Sequence, residues 1–164
     1  MAQAAKTFFF SKRWWLRGLA LLFCGATMLF STLLIMNQPP DGLGIQEGQL
    51  ATCPDRPNCV STYSRAPEHQ MDPIPYRGPS DELVAKLKSI VTQWPRTRVV
   101  HQTHNYLHVE CRSFWFRFVD DVEFLIDTEH KLIQFRSASR VGYSDLGVNR
   151  RRMETFQKAC VGTL

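Results

Sequence analysis

Between Phe135 and Arg152 the chain reads FRSASRVGYSDLGVNRRR, which gathers Arg136, Ser137, Ser139 and Arg140, then Asp145 and Asn149, then Arg150, Arg151 and Arg152. Guanidinium forks and serine hydroxyls donate to phosphate or carboxylate, and the free N–H groups at a helix start do the same. If the three arginines open a helix, each opposes the helix dipole by about 0.3–1 kcal/mol, a local cost that an anion would offset. The expected ligand-binding set is Arg136, Ser137, Ser139, Arg140, Asp145, Asn149 and Arg150. The same residue types also make a scaffold. Asp120, Asp121, Glu123 and Asp145 are available to pair with Arg136, Arg140 and Arg150 and so fix a sheet to the last helix. Both readings stay open on sequence alone.

Other chemistry has thinner support. Asp120, Asp121 or Asp145 could act as acid or base beside the arginines in a hydrolase-like reaction, but adjacent aspartates on an extended strand face opposite ways. No G-x-S-x-G, H-E-x-x-H, Walker or G-x-G-x-x-G pattern occurs, and no cofactor is implied. His101, His104 and His108 have helix-like spacing, yet they fall on a strand-turn-strand pattern that points them apart, so no metal site is expected. Cys53 and Cys59 bracket CPDRPNC. If that segment lies in an oxidising compartment, a disulfide is its expected fate; a redox or metal pair would more often show C-x-x-C with companion ligands. Cys111 and Cys160 fall on apolar stripes and read as buried thiols.

These residues need elements to hold them. Ser80 is a candidate N-cap, followed by Leu83, Val84, Leu87, Ile90, Val91 and Trp94 on one helical face, and Pro95 stops the helix. Strands are expected over 97–103, 106–118, 122–127 and 132–139, with Asp120-Asp121 in a turn. In the second of these the apolar phase switches from Leu107, Val109 and Cys111 to Phe114, Phe116 and Phe118, which calls for a bulge near Arg112-Ser113 or burial of both faces. Val60 to Tyr63 is a further short candidate strand, and a last helix begins within 145–149. The expected fold class is α+β: an N-terminal membrane helix, then a curved antiparallel four-stranded sheet flanked by two helices, in the order αββββα.

The chain's surplus of +5 is placed unevenly: Lys6, Lys12, Arg13 and Arg17 precede the first acid, Asp41, so the remainder carries 5 − 4, or +1. That removes the electrostatic case for a nucleic-acid partner. Residues 18–36 contain no charge and are long enough, at about 1.5 Å per residue, to cross most of a bilayer core of about 30 Å. The basic flank, residues 1–17, is expected in the cytoplasm, 37–52 as a Pro- and Gly-rich linker, and 53–164 as the exported domain, in a periplasm or equivalent space. A cleaved signal peptide is the competing reading; the run is long for one, and no small-x-small site follows it.

CPDRPNCVST, FVDDVEFLID and RSASRVGYSDLGVNRRR together resemble the bacterial and plastid family of domain of unknown function 1499 (DUF1499), over about Cys53 to Met153. The motif positions are Cys53, Pro54, Asn58, Cys59, Asp120, Asp121, Arg136, Ser137, Ser139, Arg140, Asp145 and Asn149. The resemblance implies a shared fold and supplies no catalytic residues. The expected function is a membrane-anchored accessory domain binding an anionic small molecule, lipid headgroup or protein segment. A hydrolase-like envelope enzyme is the alternative, as is a structural partner of a membrane complex that docks through Phe114, Trp115 and Phe116.

Overall fold

The computed structural model describes residues 2–160; Met1, which heads the basic segment, and 161–164, the end of the domain expected over 53–164, lie outside the described residues. The chain divides into two compact units, residues 1–38 and 39–164. The first is helix α1 (Ala2–Met36), in which the 19 residues Trp14–Thr32 have no part buried and carry Arg17 as their one charge, the uncharged apolar stretch beginning at Gly18. Thr27 and Thr32 turn their hydroxyls back to the carbonyls of Cys24 and Met28, which leaves the outer surface apolar. By length and composition this helix can cross a membrane, and a signal segment meets the same description.

The second unit opens with a small hairpin, β1 (Ile45–Gln46) and β2 (Gln49–Leu50), within the stretch expected to be a linker. The remaining strands are β3 (Cys59–Ser61), β4 (Ile74–Pro75), β5 (Thr97–Gln102), β6 (Tyr106–Arg112), β7 (Val119–Asp127) and β8 (Leu132–Ser139). They form one antiparallel sheet in the order β3-β8-β7-β6-β5, with β4 also pairing on β8. Helices α2 (Leu83–Val91) and α3 (Val148–Cys160) complete the unit.

The expected four-stranded curved sheet is therefore corrected to six strands plus a separate two-stranded hairpin, with three helices among the described residues and neither curvature nor closure seen. The four long strands were visible because each repeats its apolar residues over several positions. β3 and β4 span three and two residues, too few to show a period, and β8 supplies the hydrogen bonds that make them strands. The second long strand is also corrected. β6 ends at Arg112, and residues 113–118 form a loop closed by Ser113 N donating to Phe118 O and Phe118 N donating to Ser113 Oγ. The switch in apolar phase marks that loop, in which Arg117 takes a left-handed φ of 57°. The register irregularity lies instead in β5, between Val99 and His101. Asp120 and Asp121 belong to β7, where pairing with Ser139 and Ala138 of β8 overrides their turn preference.

Alternation along the strands gives the sheet two unlike faces. Leu107, Val109 and Cys111 of β6, Val122, Phe124 and Ile126 of β7, and Ile133 and Phe135 of β8 belong to one core with the helices. Onto it α2 sets Leu83, Val84, Leu87 and Val91, and α3 sets Met153, Phe156 and Cys160. Phe156 meets Phe124 at 4.7 Å and stands edge-on to Trp94 at 5.7 Å. α2 begins two residues later than its sequence start signal indicates: Glu82 occupies the N-cap without a side-chain bond, while Ser80 contributes its carbonyl to Leu83 N.

Candidate functional site

The opposite face carries neither α2 nor α3, and most of its strand positions are polar. β6 presents Tyr106, His108 and Glu110; β7 presents Asp121 and Glu123; β8 presents Arg136 and, just beyond its end, Arg140. Leu50 of the hairpin covers part of this face by packing with Tyr106 and Leu125. His108, Glu110, Asp121, Glu123 and Arg136 are buried as well. Charges removed from water must be paired, and these are. Arg140 donates through Nε to Asp121 Oδ2 at 2.8 Å and through Nη2 to Asp121 Oδ1 and Glu110 Oε1, both at 2.7 Å. Arg98 and Arg112 reach Glu110 Oε2, each at 3.0 Å. His108 Nε2 lies 2.8 Å from Asp121 Oδ1. Glu123 accepts from Tyr106 Oη at 2.7 Å, from Gly44 N at 2.7 Å and from Arg136 Nη1 at 3.1 Å.

The pairing sets the protonation states. Burial alone would raise the Asp121 carboxyl, but the bonds and charge of Arg140, with His108, hold it below the usual range. Glu110 is likewise pushed up by desolvation and brought lower overall by Arg140, Arg98 and Arg112. The Tyr106 phenol is raised by burial and by Glu123, so it stays a donor.

One arginine on this face is incompletely used. Arg136 spends Nη1 on Glu123, while its buried Nε–H has no hydrogen-bond partner. It lines a cavity of about 340 Å³ together with Arg56, Arg140, Asn58 and Ser139. Asn58 donates through Nδ2 to Gly142 O, and its buried Oδ1 is also unpartnered. Three cations, Arg56, Arg136 and Arg140, line this space against two acids, Asp41 and Asp121.

The other members of the expected ligand set face α3. Ser137 Oγ donates to Asn149 Oδ1, Asn149 Nδ2 donates to Ser139 Oγ at 3.0 Å and to Asn58 O at 3.2 Å, and Ser139 Oγ donates to Asp120 Oδ1 at 2.6 Å. Arg152 Nη2 pairs with Asp120 Oδ2 at 2.6 Å. Asp145 accepts from the amides of Gly147 and Asn149 at 2.9 and 2.8 Å, so the chain's own carboxylate occupies the helix start where sequence placed an external anion. Arg150 donates to the carbonyls of Glu68 and Gln70, and Arg151 to that of Leu146. The sheet thus separates Arg136 and Arg140 from the Ser137, Asn149 and Asp145 network, with Ser139 reaching both the network and the cavity lining.

Sequence reasoning passed over Glu110, Tyr106 and Arg56, and it named Arg152 only among the helix-opening arginines, not as the partner of Asp120. The signal for the first two was the polar alternation of β6, which reads as solvent-facing until something covers it. Asp120, Asp121 and Asp145, weighed as acids or bases, each accept hydrogen bonds from the partners above. Cys53 and Cys59 form the disulfide, with Cα atoms 5.6 Å apart, and Cys111 and Cys160 are buried free thiols. His101 lies beside the Tyr106 ring at 6.0 Å, and His104 is exposed in the β5–β6 turn. Among the described residues no three His, Cys, Asp or Glu side chains gather as metal ligands.

The family model described as protein of unknown function (DUF1499) matches residues 49–160. No curated protein and no solved structure matches the chain.

Proposed function

The chain belongs to the DUF1499 family, and from that premise we propose that it is a membrane-anchored extracytoplasmic domain that binds a small anionic group in the cavity of the helix-free sheet face. Arg136 carries the reading: a buried guanidinium whose Nε–H has no partner is a costly feature beside the fully paired Glu123 and Asp121, and a bound acceptor would remove that cost. Arg56, exposed at the cavity rim, adds a cation without a role in the buried network. A cavity of about 340 Å³ suits a carboxylate or phosphate head with a short substituent. Four basic residues ahead of the apolar stretch support a cytoplasmic N-terminus and an exported second unit, and the Cys53–Cys59 bridge suits an oxidising space.

The test is thermal unfolding of the full chain titrated with inorganic phosphate and, separately, acetate. Binding to the folded state raises Tm in a saturable way. The expected result is such a rise with one of the two anions in the natural chain, and its loss in Arg56→Ala, whose own Tm without ligand is unchanged. An unsaturable rise, or equal rises in both proteins, overturns the site.

A further inference from the structure

The β6–β7 loop, SFWFRF over residues 113–118, points its aromatic side chains into solvent: Phe114 is 64%, Trp115 82% and Phe116 69% exposed. The loop is held shut at its base by two hydrogen bonds, and the next residue, Val119, is fully buried. The rings instead pack on one another. Phe114 meets Trp115 edge-on at 5.0 Å, and Phe116 stacks on the half-buried Phe118 at 5.5 Å, forming a small raised apolar tip. Exposed clusters of this kind mark an interaction surface.

Charge and position select the occupant. The loop contains no acid and carries Arg117, exposed; Arg96, also exposed, lies with its guanidinium 5.4 Å from the centre of the Phe114 ring and is held there by Nε donating to Arg112 O. Trp and Phe flanked by arginine is the composition that seats at the headgroup level of a bilayer, with rings among the acyl-chain ends and cations among anionic headgroups. The antiparallel register puts this loop at the end of the sheet where β8 finishes, because Arg112 pairs with Val119 and Asp120 with Ser139. Pro40 to Leu43, the first residues of the unit after the apolar helix, line the cavity with Ser139 and Arg140 at that same end. The first residues of the unit and the aromatic tip therefore lie at one end of the sheet.

We infer that the Phe114-Trp115-Phe116 loop is a second membrane contact, which inserts into the interface of a bilayer containing anionic lipid and holds the domain against the surface to which its N-terminal helix tethers it. This contact rests on the anchored reading above and is independent of the anion cavity.

The experiment uses the full chain reconstituted in phosphatidylcholine vesicles with and without phosphatidylglycerol, and reads tryptophan quenching by brominated lipid and by aqueous iodide. The Trp115 contribution is the difference between the natural chain and Trp115→Phe; the emission that remains includes Trp14 and Trp15 of the apolar helix. With anionic lipid present, Trp115 is expected to be quenched by brominated lipid and protected from iodide, and Arg117→Gln is expected to lower the docked-to-undocked ratio about fivefold. Trp115 and Arg117 are both exposed, so neither variant is expected to disturb folding, which an unchanged Tm checks. If Trp14 and Trp15 are quenched by lipid while Trp115 stays open to iodide, the anchor stands and the loop contact is overturned. If none of the three meets lipid, the anchor itself fails and the loop contact with it. A Trp115 shielded equally in lipid and in detergent, with cross-linking between copies at that position, overturns the lipid contact in favour of a second copy of the chain.

Discussion

Arg140 grips Asp121 with two parallel hydrogen bonds, Nε to Oδ2 at 2.8 Å and Nη2 to Oδ1 at 2.7 Å, and both side chains are almost wholly removed from water. The fork geometry and the third bond to Glu110 are things a lysine cannot reproduce. Replacing Arg140 by Ala removes three bonds from two buried carboxylates, leaving Asp121 with His108 and Glu110 with Arg98 and Arg112, and the expected loss is about 3 kcal/mol, a large share of a small domain's stability. Arg151→Ala removes an exposed bond to Leu146 O and is expected to change stability by no more than about 0.5 kcal/mol. Thermal or urea unfolding of the two variants measures the contrast; similar losses from both would refute the assignment of Arg140 as a scaffold residue.

Acid should attack the same network. The Asp121 and Glu110 carboxyls titrate below their ordinary values of about 3.9 and 4.3 in the folded protein, so as pH falls through those values the unfolded chain takes up protons first. The stability they contribute is complete above that range and is lost as pH drops through their lowered folded values. Tm is expected to hold steady from neutral pH down to about 5 and then to fall. A Tm that is flat down to about pH 3 contradicts this account.

Asp145 closes the start of α3 with bonds to two amides. Asp145→Ala is expected to cost about 1 kcal/mol and to speed amide exchange at Gly147 and Asn149, whereas Asp145→Asn keeps an acceptor and most of the stability. Exchange rates identical in the natural chain and Asp145→Ala would show that another group caps the helix.

Alkylation without reductant should leave Cys53 and Cys59 unmodified because they are bridged. Cys111 and Cys160 should stay unmodified as well until the protein unfolds: burial raises both thiols, Cys160 to about 11, and keeps reagent away. Reduction opens a short loop and should cost about 2 kcal/mol. Native labelling of Cys53 and Cys59 before reduction is the contrary result.

The orientation proposed for the chain makes its own prediction. A reporter active only outside the cytoplasm, fused to the C-terminus, should be active, and a cytoplasm-only reporter at the same point should be silent, because the four cations ahead of the apolar stretch stay inside. The reverse pattern would remove the exported reading.

Sequence alone determined what depends on local repetition. An apolar run of 19 residues, the amphipathic pattern of α2 and the alternation in β5 to β8 each express a period over enough residues to be read without neighbours. The long motif near the C-terminus was sufficient for the family, and the Cys53-Cys59 pairing followed from spacing and compartment. Tertiary structure decided the rest because it depends on what covers what. β3 and β4 exist only through their pairing with β8, so they had too little pattern of their own to fix the sheet at six strands. The polar stripe Tyr106, His108 and Glu110 reads as solvent-facing in sequence; in the fold Leu50 packs on Tyr106, and Asp121, Arg98, Arg112 and Arg140 close over His108 and Glu110 to make a buried charge network. Seven residues adjacent in sequence looked like one anion site. Alternation along β8 sends Arg136 to one side of the sheet and Ser137 to the other, and a period of two is enough to turn one cluster into two.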